Sequence, residues 1–147
     1  MLDVYKIRKD FPILGKKVNN TDLIYFDNAA TSQTPNQVID VISSYYKENN
    51  SNIHRGLHSL SADATNKYEN SRSIIKNHFG AAHDHEIIFT SGTTHGINII
   101  SSGLEKLISS KDELIVSEME HHSNIVPWQM LCEKTGSKLK VIPINDD

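Results

Sequence analysis

The chain has 147 residues, 37% of them hydrophobic and 22% charged, with a formal net charge of -3 from 15 basic and 18 acidic side chains. The length fits one domain, and the charge balance excludes a basic nucleic-acid footprint or a cationic membrane-binding face. A single cysteine, Cys132, excludes an internal disulfide and a cysteine-based zinc site; with neither an export signal in Met1–Asp10 nor a run long enough to span a membrane, the sequence predicts a cytoplasmic protein.

In chain order, residues 3–10 predict a short helix ended by Pro12, and Leu23-Ile-Tyr-Phe26 reads as a strand. Thr34 predicts an N-cap with Pro35 at the first helical position. Val38, Val41, Ile42, Tyr45 and Tyr46 follow at the spacing of one helical face. A second helix is expected from about Ser61 to Phe79, with Ala64, Tyr68, Ile75 and Phe79 inward and Gly80 as its stop. The remainder alternates. Glu86–Ser91 predicts a strand, and a helix follows from Thr93. Glu113–Ser117 is a strand, a helix runs from Val126-Pro127 to Gly136, and Lys138–Ile144 is another strand. The order β-α-β-α-β predicts an α/β fold, mainly a parallel sheet with flanking helices. The sequence closes at Asp146-Asp147 directly after a strand, which suggests a chain cut off inside its sheet.

Ligands of open parallel sheets bind at the carboxyl ends of the strands. Two segments fall there. Ser91-Gly-Thr-Thr-His-Gly96 opens a helix after a strand. Its hydroxyls and free N–H groups suit a phosphate, and the same pattern suits an ordinary turn with a threonine N-cap. Glu118-Met-Glu-His-His-Ser-Asn124 follows the next strand. It reads as a polar loop, or as a source of one imidazole face for a flat ring if the two strands are neighbours; no i, i+4 histidine pair marks a metal site. A third cluster, His54, Arg55 and His58, reads by itself as a solvated basic loop.

Tyr25-Phe-Asp-Asn-Ala-Ala-Thr31, His54-Arg-Gly56, Thr90-Ser-Gly-Thr-Thr94 and Glu118-Met-Glu-His-His-Ser-Asn-Ile-Val-Pro-Trp-Gln129 occur in this order over nearly the whole chain. Together they resemble the class V aminotransferase-like group of fold-type I pyridoxal-phosphate enzymes, and within it the cysteine desulfurases of the sulfur-mobilisation type, also called selenocysteine lyases. The resemblance implies that residues 1–20 are a helical segment belonging to the small domain. Residues 21–147 would be the first part of the large domain that binds pyridoxal 5'-phosphate. It implies that Thr93 and Thr94 hold the cofactor phosphate and that His121 stacks on the pyridine ring and moves protons. Ala29 and Ala30 would lie beside the substrate amino acid, with His54 and Arg55 near the mouth of the site.

The family's Schiff-base lysine, nucleophilic cysteine and carboxylate-binding arginine match no position in the chain, so the 147 residues alone are expected to be inactive. Cys132 reads as a packing residue, and His95 stands where many members carry glutamate. For the whole protein the resemblance implies sulfur transfer from L-cysteine, giving alanine and an enzyme persulfide for iron-sulfur cluster assembly. A homodimer and a sulfur-acceptor protein are the implied partners. The rival expectations are a selenocysteine lyase, another class V aminotransferase, or a non-catalytic chain that binds a partner.

Overall fold

The computed structural model describes residues 2–145. Met1 lies outside that range, and so does the Asp146-Asp147 end on which the expectation of a cut-off sheet rested. The chain divides into two compact units, Met1–Glu86 and Ile87–Asp147.

In the first unit, helix α1 (Val4–Arg8) is capped by the Asp3 carboxylate, which accepts the Lys6 N–H at 3.0 Å. A 3-10 turn at Pro12–Gly15 follows. Strands β1 (Lys17–Val18) and β2 (Thr21–Asp22) pair antiparallel, Val18 opposite Thr21. Asn19 and Asn20 between them both have positive φ, 52° and 64°. Two central residues of positive φ make a type I′ turn, whose twist matches a hairpin. Asparagine tolerates that conformation better than most side chains, so the Asn-Asn pair was the available signal for this unexpected hairpin. The strand expected at residues 23–26 does not form. Its apolar run has no partner strand to complete a ladder, and Phe26 is 93% exposed.

Helix α2 (Asn36–Ser44) starts one residue later than expected. Pro35 is the N-cap, and the Thr34 side chain caps nothing. A π-helical turn, Tyr45–Asn49, extends the helix, and the apolar stripe through Val38, Val41 and Ile42 stays largely exposed. Helix α3 (Ser59–Phe79) buries Ser61 and Ala64 and ends on Gly80 at φ 70°, the left-handed cap expected of it. Phe79 was expected inward and lies exposed, as the last helical residue beyond the packed part of the face.

In the second unit, residues 87–90 form no strand, so the expected three-strand sheet has two. Helix α4 (Thr93–Leu104), strand β3 (Glu113–Ser117), helix α5 (Val126–Thr135) and strand β4 (Lys138–Ile142) follow in the expected order, α4 ending at Leu104 before the apolar positions Leu107 and Ile108, and β4 ending two residues short of Ile144. Strands β3 and β4 pair in parallel, Glu113 opposite Lys138 through Ser117 opposite Ile142, with α5 as the crossover. The ladder stops before Pro143, which has no N–H to donate. Helix α5 buries Pro127, Leu131 and Cys132, so the cysteine packs as expected, and the buried Ser101 hydroxyl of α4 donates to the Pro127 carbonyl at 2.9 Å. This bond ties the last turn of α4 to the first turn of α5.

Buried apolar side chains are few among the described residues: Ala64, Val116, Pro127, Leu131 and Cys132. The accessible surface totals 12062 Å², whereas two separate compact bodies of these sizes would together expose roughly 9,000 Å². Large apolar side chains such as Ile24, Phe26 and Leu57 are among the exposed residues, and exposed apolar surface drives association. Sedimentation velocity of the isolated chain is therefore expected to show concentration-dependent self-association; a strict monomer that unfolds cooperatively would contradict this. No helix among the described residues is long and apolar enough to cross a membrane.

Candidate active site

The second unit places Thr93, Thr94 and His121 around one cleft of about 710 Å³, together with Ser91, His95, Asn98 and Ser123. Gly92, the N-cap of α4, has φ 137° and ψ 175°, a region open almost only to glycine. No side chain caps the helix, so the free N–H groups of its first turn stay available to a ligand. Neighbouring side chains brace the turn instead. The Thr90 hydroxyl donates to the Gly92 carbonyl at 3.1 Å, the Ser91 N–H donates to His95 Nδ1 at 3.2 Å, and Asn98 Nδ2 donates to the Thr94 carbonyl at 2.8 Å.

His121 begins a 3-10 turn that runs through His122–Asn124. Its Nδ1 accepts the Ser123 N–H at 3.2 Å and lies 2.9 Å from the Ser123 hydroxyl. A backbone N–H can only donate, so Nδ1 is the acceptor and the neutral ring carries its proton on Nε2. The cleft thus joins a helix start rich in donors to an imidazole of fixed tautomer. Among the described residues no cluster of His, Cys, Asp and Glu side chains could hold a metal ion, and no lysine lines the cleft.

Sequence reasoning missed the groups that hold the His121 turn. Glu120 accepts from the Ser117 hydroxyl at 2.9 Å and from Asn124 Nδ2 at 2.8 Å, and Trp128 Nε1 donates to Asn124 Oδ1 at 2.9 Å. Glu120, Asn124 and Trp128 stand four residues apart, and that spacing was the signal. The hydrogen bond from Asn124, then that from Ser117, holds the Glu120 carboxyl below its usual pKa. A depressed carboxylate pKa stabilises the folded state above the unfolded value, and the contribution is lost as pH falls through the folded value. Fluorescence of Trp128, the single tryptophan, is accordingly expected to hold steady from neutral pH down to the ordinary glutamate range and to change below it. A Glu120→Gln variant is expected to lose that acid-side step; an unaltered step in the variant would assign it elsewhere.

The other expected site residues belong to the first unit. Ala29 and Ala30 lie in a turn closed by the Thr31 N–H on the Asp27 carbonyl at 3.2 Å, with the Tyr25 hydroxyl 3.1 Å from the Asp27 carbonyl and 2.9 Å from that of Thr31. His54 has φ 60°, its N–H donates to Thr65 Oγ1 at 3.0 Å, and its Nε2 lies 3.1 Å from Glu69 Oε1. Arg55 beside it is exposed. His58 caps α3 through Nδ1, accepting the Ser61 N–H at 3.4 Å. The loop is tied down further by Ser61, whose hydroxyl donates to the Asn52 carbonyl at 2.6 Å and accepts the Gly56 N–H at 3.0 Å. A Cβ on Gly56 would meet the Ser61 Cβ at 2.6 Å. Gly56→Ala is therefore expected to break both Ser61 bonds and lower stability by about 1–3 kcal/mol. Chemical denaturation measures this, and an unchanged midpoint would show that the loop gives way freely.

Comparison with known proteins bears on the same segments. The family model described as aminotransferase class-V matches residues 24–147. The chain is 51% identical over 146 residues to a probable cysteine desulfurase of Staphylococcus epidermidis, covering 99% of this chain and 35% of that protein. It is 49% identical to a cysteine desulfurase of Salmonella newport, covering 98% and 36%. Among solved structures, an apo cysteine desulfurase from Thermococcus onnurineus aligns over 99% of this chain and 35% of its own, with a TM-score of 0.87 at 40% identity. A cysteine desulfurase from Escherichia coli aligns with a TM-score of 0.78 at 30% identity, covering 99% and 36%. The chain thus spans about 35% of the length of the curated relatives it matches. With the family model reaching from the first unit through the whole second unit and its cleft, the chain belongs to the aminotransferase class-V family.

Proposed function

We propose that the cleft of the second unit is the pyridoxal 5'-phosphate site of a cysteine desulfurase. The observation that carries this reading is the meeting of the Thr93-Thr94 helix start with His121 in one cleft. The residues fit the group. Uncapped N–H groups and two hydroxyls suit a phosphate dianion, and the helix dipole adds to their pull. The His121 imidazole suits the face of an aromatic ring, and its Nε2–H is free of the Ser123 bond that occupies Nδ1. When bound, the cofactor supplies an electron sink for the substrate's α-carbon. The chain's own part is to anchor a phosphate at Thr93 and Thr94, orient a ring at His121 and hold a proton at His121 Nε2.

For the whole protein we propose removal of sulfur from L-cysteine, giving L-alanine and an enzyme persulfide that feeds iron-sulfur cluster assembly. A homodimer and a sulfur-acceptor protein complete the reading, in the cytoplasm. The support is the name shared by the relatives at about 50% identity. Ala29, Ala30, His54 and Arg55 are proposed to meet the substrate, residues 1–20 to belong to the small domain, and residues 21–147 to open the large one. With no lysine lining the cleft, the 147 residues alone are proposed to be inactive. The test is sulfide release from L-cysteine by the whole protein in the presence of a reductant. Selenide release confined to selenocysteine, or amino transfer without sulfide, would move the assignment to another member of the family.

A further inference from the structure

Asn124 grips the residue before His121 and His121 itself. Its side-chain Nδ2 donates to Glu120 Oε2 at 2.8 Å, and its backbone N–H donates to the His121 carbonyl at 2.7 Å. The amide orientation follows from its partners. The Trp128 indole N–H only donates and so faces Oδ1, while the Glu120 carboxylate only accepts and so faces Nδ2. At one end the relay is fixed to the last residue of β3, where the Ser117 hydroxyl donates to Glu120 Oε1 at 2.9 Å. At the other end it is fixed to α5, whose Pro127 and Leu131 are buried on either side of Trp128 in sequence. These side chains are part-buried, where a hydrogen bond is less exposed to competition from water.

We propose that Glu120, Asn124 and Trp128 form a positioning relay that clamps the His121 turn between β3 and α5 and so keeps the imidazole in one tautomer toward the cleft. The inference rests on the reading of His121 as the residue that meets the cofactor ring. None of the three need touch substrate or cofactor; each acts through His121. The relay predicts a split. Ring contact depends on it, whereas the phosphate turn at Gly92–Thr94 has its own bracing from Thr90, Ser91 and Asn98.

The test uses the side-chain nitrogen signals of His121 at about pH 8, where an ordinary imidazole is neutral, with His121→Gln to assign them. Wild type is expected to show one protonated and one unprotonated nitrogen. Glu120→Gln should keep this pattern, because the glutamine oxygen still accepts from Asn124 and its amide can donate to Ser117. Asn124→Ala and Trp128→Phe, the second keeping an aromatic ring without the N–H, should average the two nitrogens. Asn124→Ala should also weaken pyridoxal phosphate binding about tenfold, on the scale of one lost hydrogen-bonded anchor, with inorganic phosphate binding unchanged. If both variants keep the wild-type nitrogen pattern, the relay is overturned. If wild type binds neither pyridoxal phosphate nor phosphate, the cofactor reading fails, while the nitrogen spectra still decide the relay.

Discussion

Replacing His121 by alanine is expected to lower the proposed release of sulfur from L-cysteine by the whole protein about 10²- to 10⁴-fold, the range for loss of a positioned acid–base group. Two effects combine. The variant loses the imidazole face at the cleft, and it loses the proton that the Ser123 bond to Nδ1 assigns to Nε2. The side chain is exposed and its stabilising contact is the cap on the Ser123 N–H, so stability should fall by about 0.5–2 kcal/mol. Steady-state kinetics with matched thermal melts separates chemistry from folding. A variant within tenfold of wild type would remove His121 from the proposed role.

The second large effect is expected at Gly92. No atom lies within 4 Å of a Cβ built there, so Gly92→Ala meets no clash. The cost is in the backbone, since φ 137° with ψ 175° is barred to residues with a Cβ. Holding that geometry would cost about 1–3 kcal/mol, and relaxing it would turn the first N–H groups of α4 away from the cleft. The first response lowers stability and leaves the N–H groups in place; the second weakens the proposed phosphate anchor. Urea denaturation and a phosphate titration of the same variant read both. An unchanged midpoint with unchanged phosphate binding would show that the turn does not depend on this glycine.

Legibility in the sequence followed the physics of each segment. Strands β3 and β4 and helices α4 and α5 were readable, because short apolar runs alternate with helical periodicity, and Gly92, Gly136 and Pro143 mark three of their boundaries. Gly80 and Gly136 adopt the left-handed caps that only the glycine identity announced. The apolar runs at 23–26 and 86–91 were equally strand-like, yet a strand exists only with a partner, and periodicity carries no information about partners. The α2 boundary slipped by one residue, because Pro35 suits the cap as well as the first turn.

For the site, the Gly-Thr-Thr turn and His121 were legible as separate segments; their sharing a crevice was argued from neighbouring strands and from the family resemblance, and the cleft forms although residues 87–90 make no strand. The support behind them was not. Ser123 fixing the His121 tautomer, Asn98 and His95 bracing the Gly92–Thr94 turn, and Glu120 joined to Trp128 through Asn124 all depend on where individual side chains turn. Composition shows these residues only as a polar loop. The His54–Glu69 contact spans 15 residues and was likewise out of reach of local pattern.

The central claim is that Thr93 and Thr94 hold a phosphate while His121 meets the ring, with no lysine of the cleft to bond the cofactor. An absorbance-monitored titration of this chain with pyridoxal phosphate, run beside pyridoxal, tests it most directly. The expected result is weak, reversible binding of pyridoxal phosphate that keeps the free cofactor's spectrum, with pyridoxal binding far more weakly for want of the phosphate. Equal binding of the two, or a stable yellow adduct on a lysine within the chain, would contradict it.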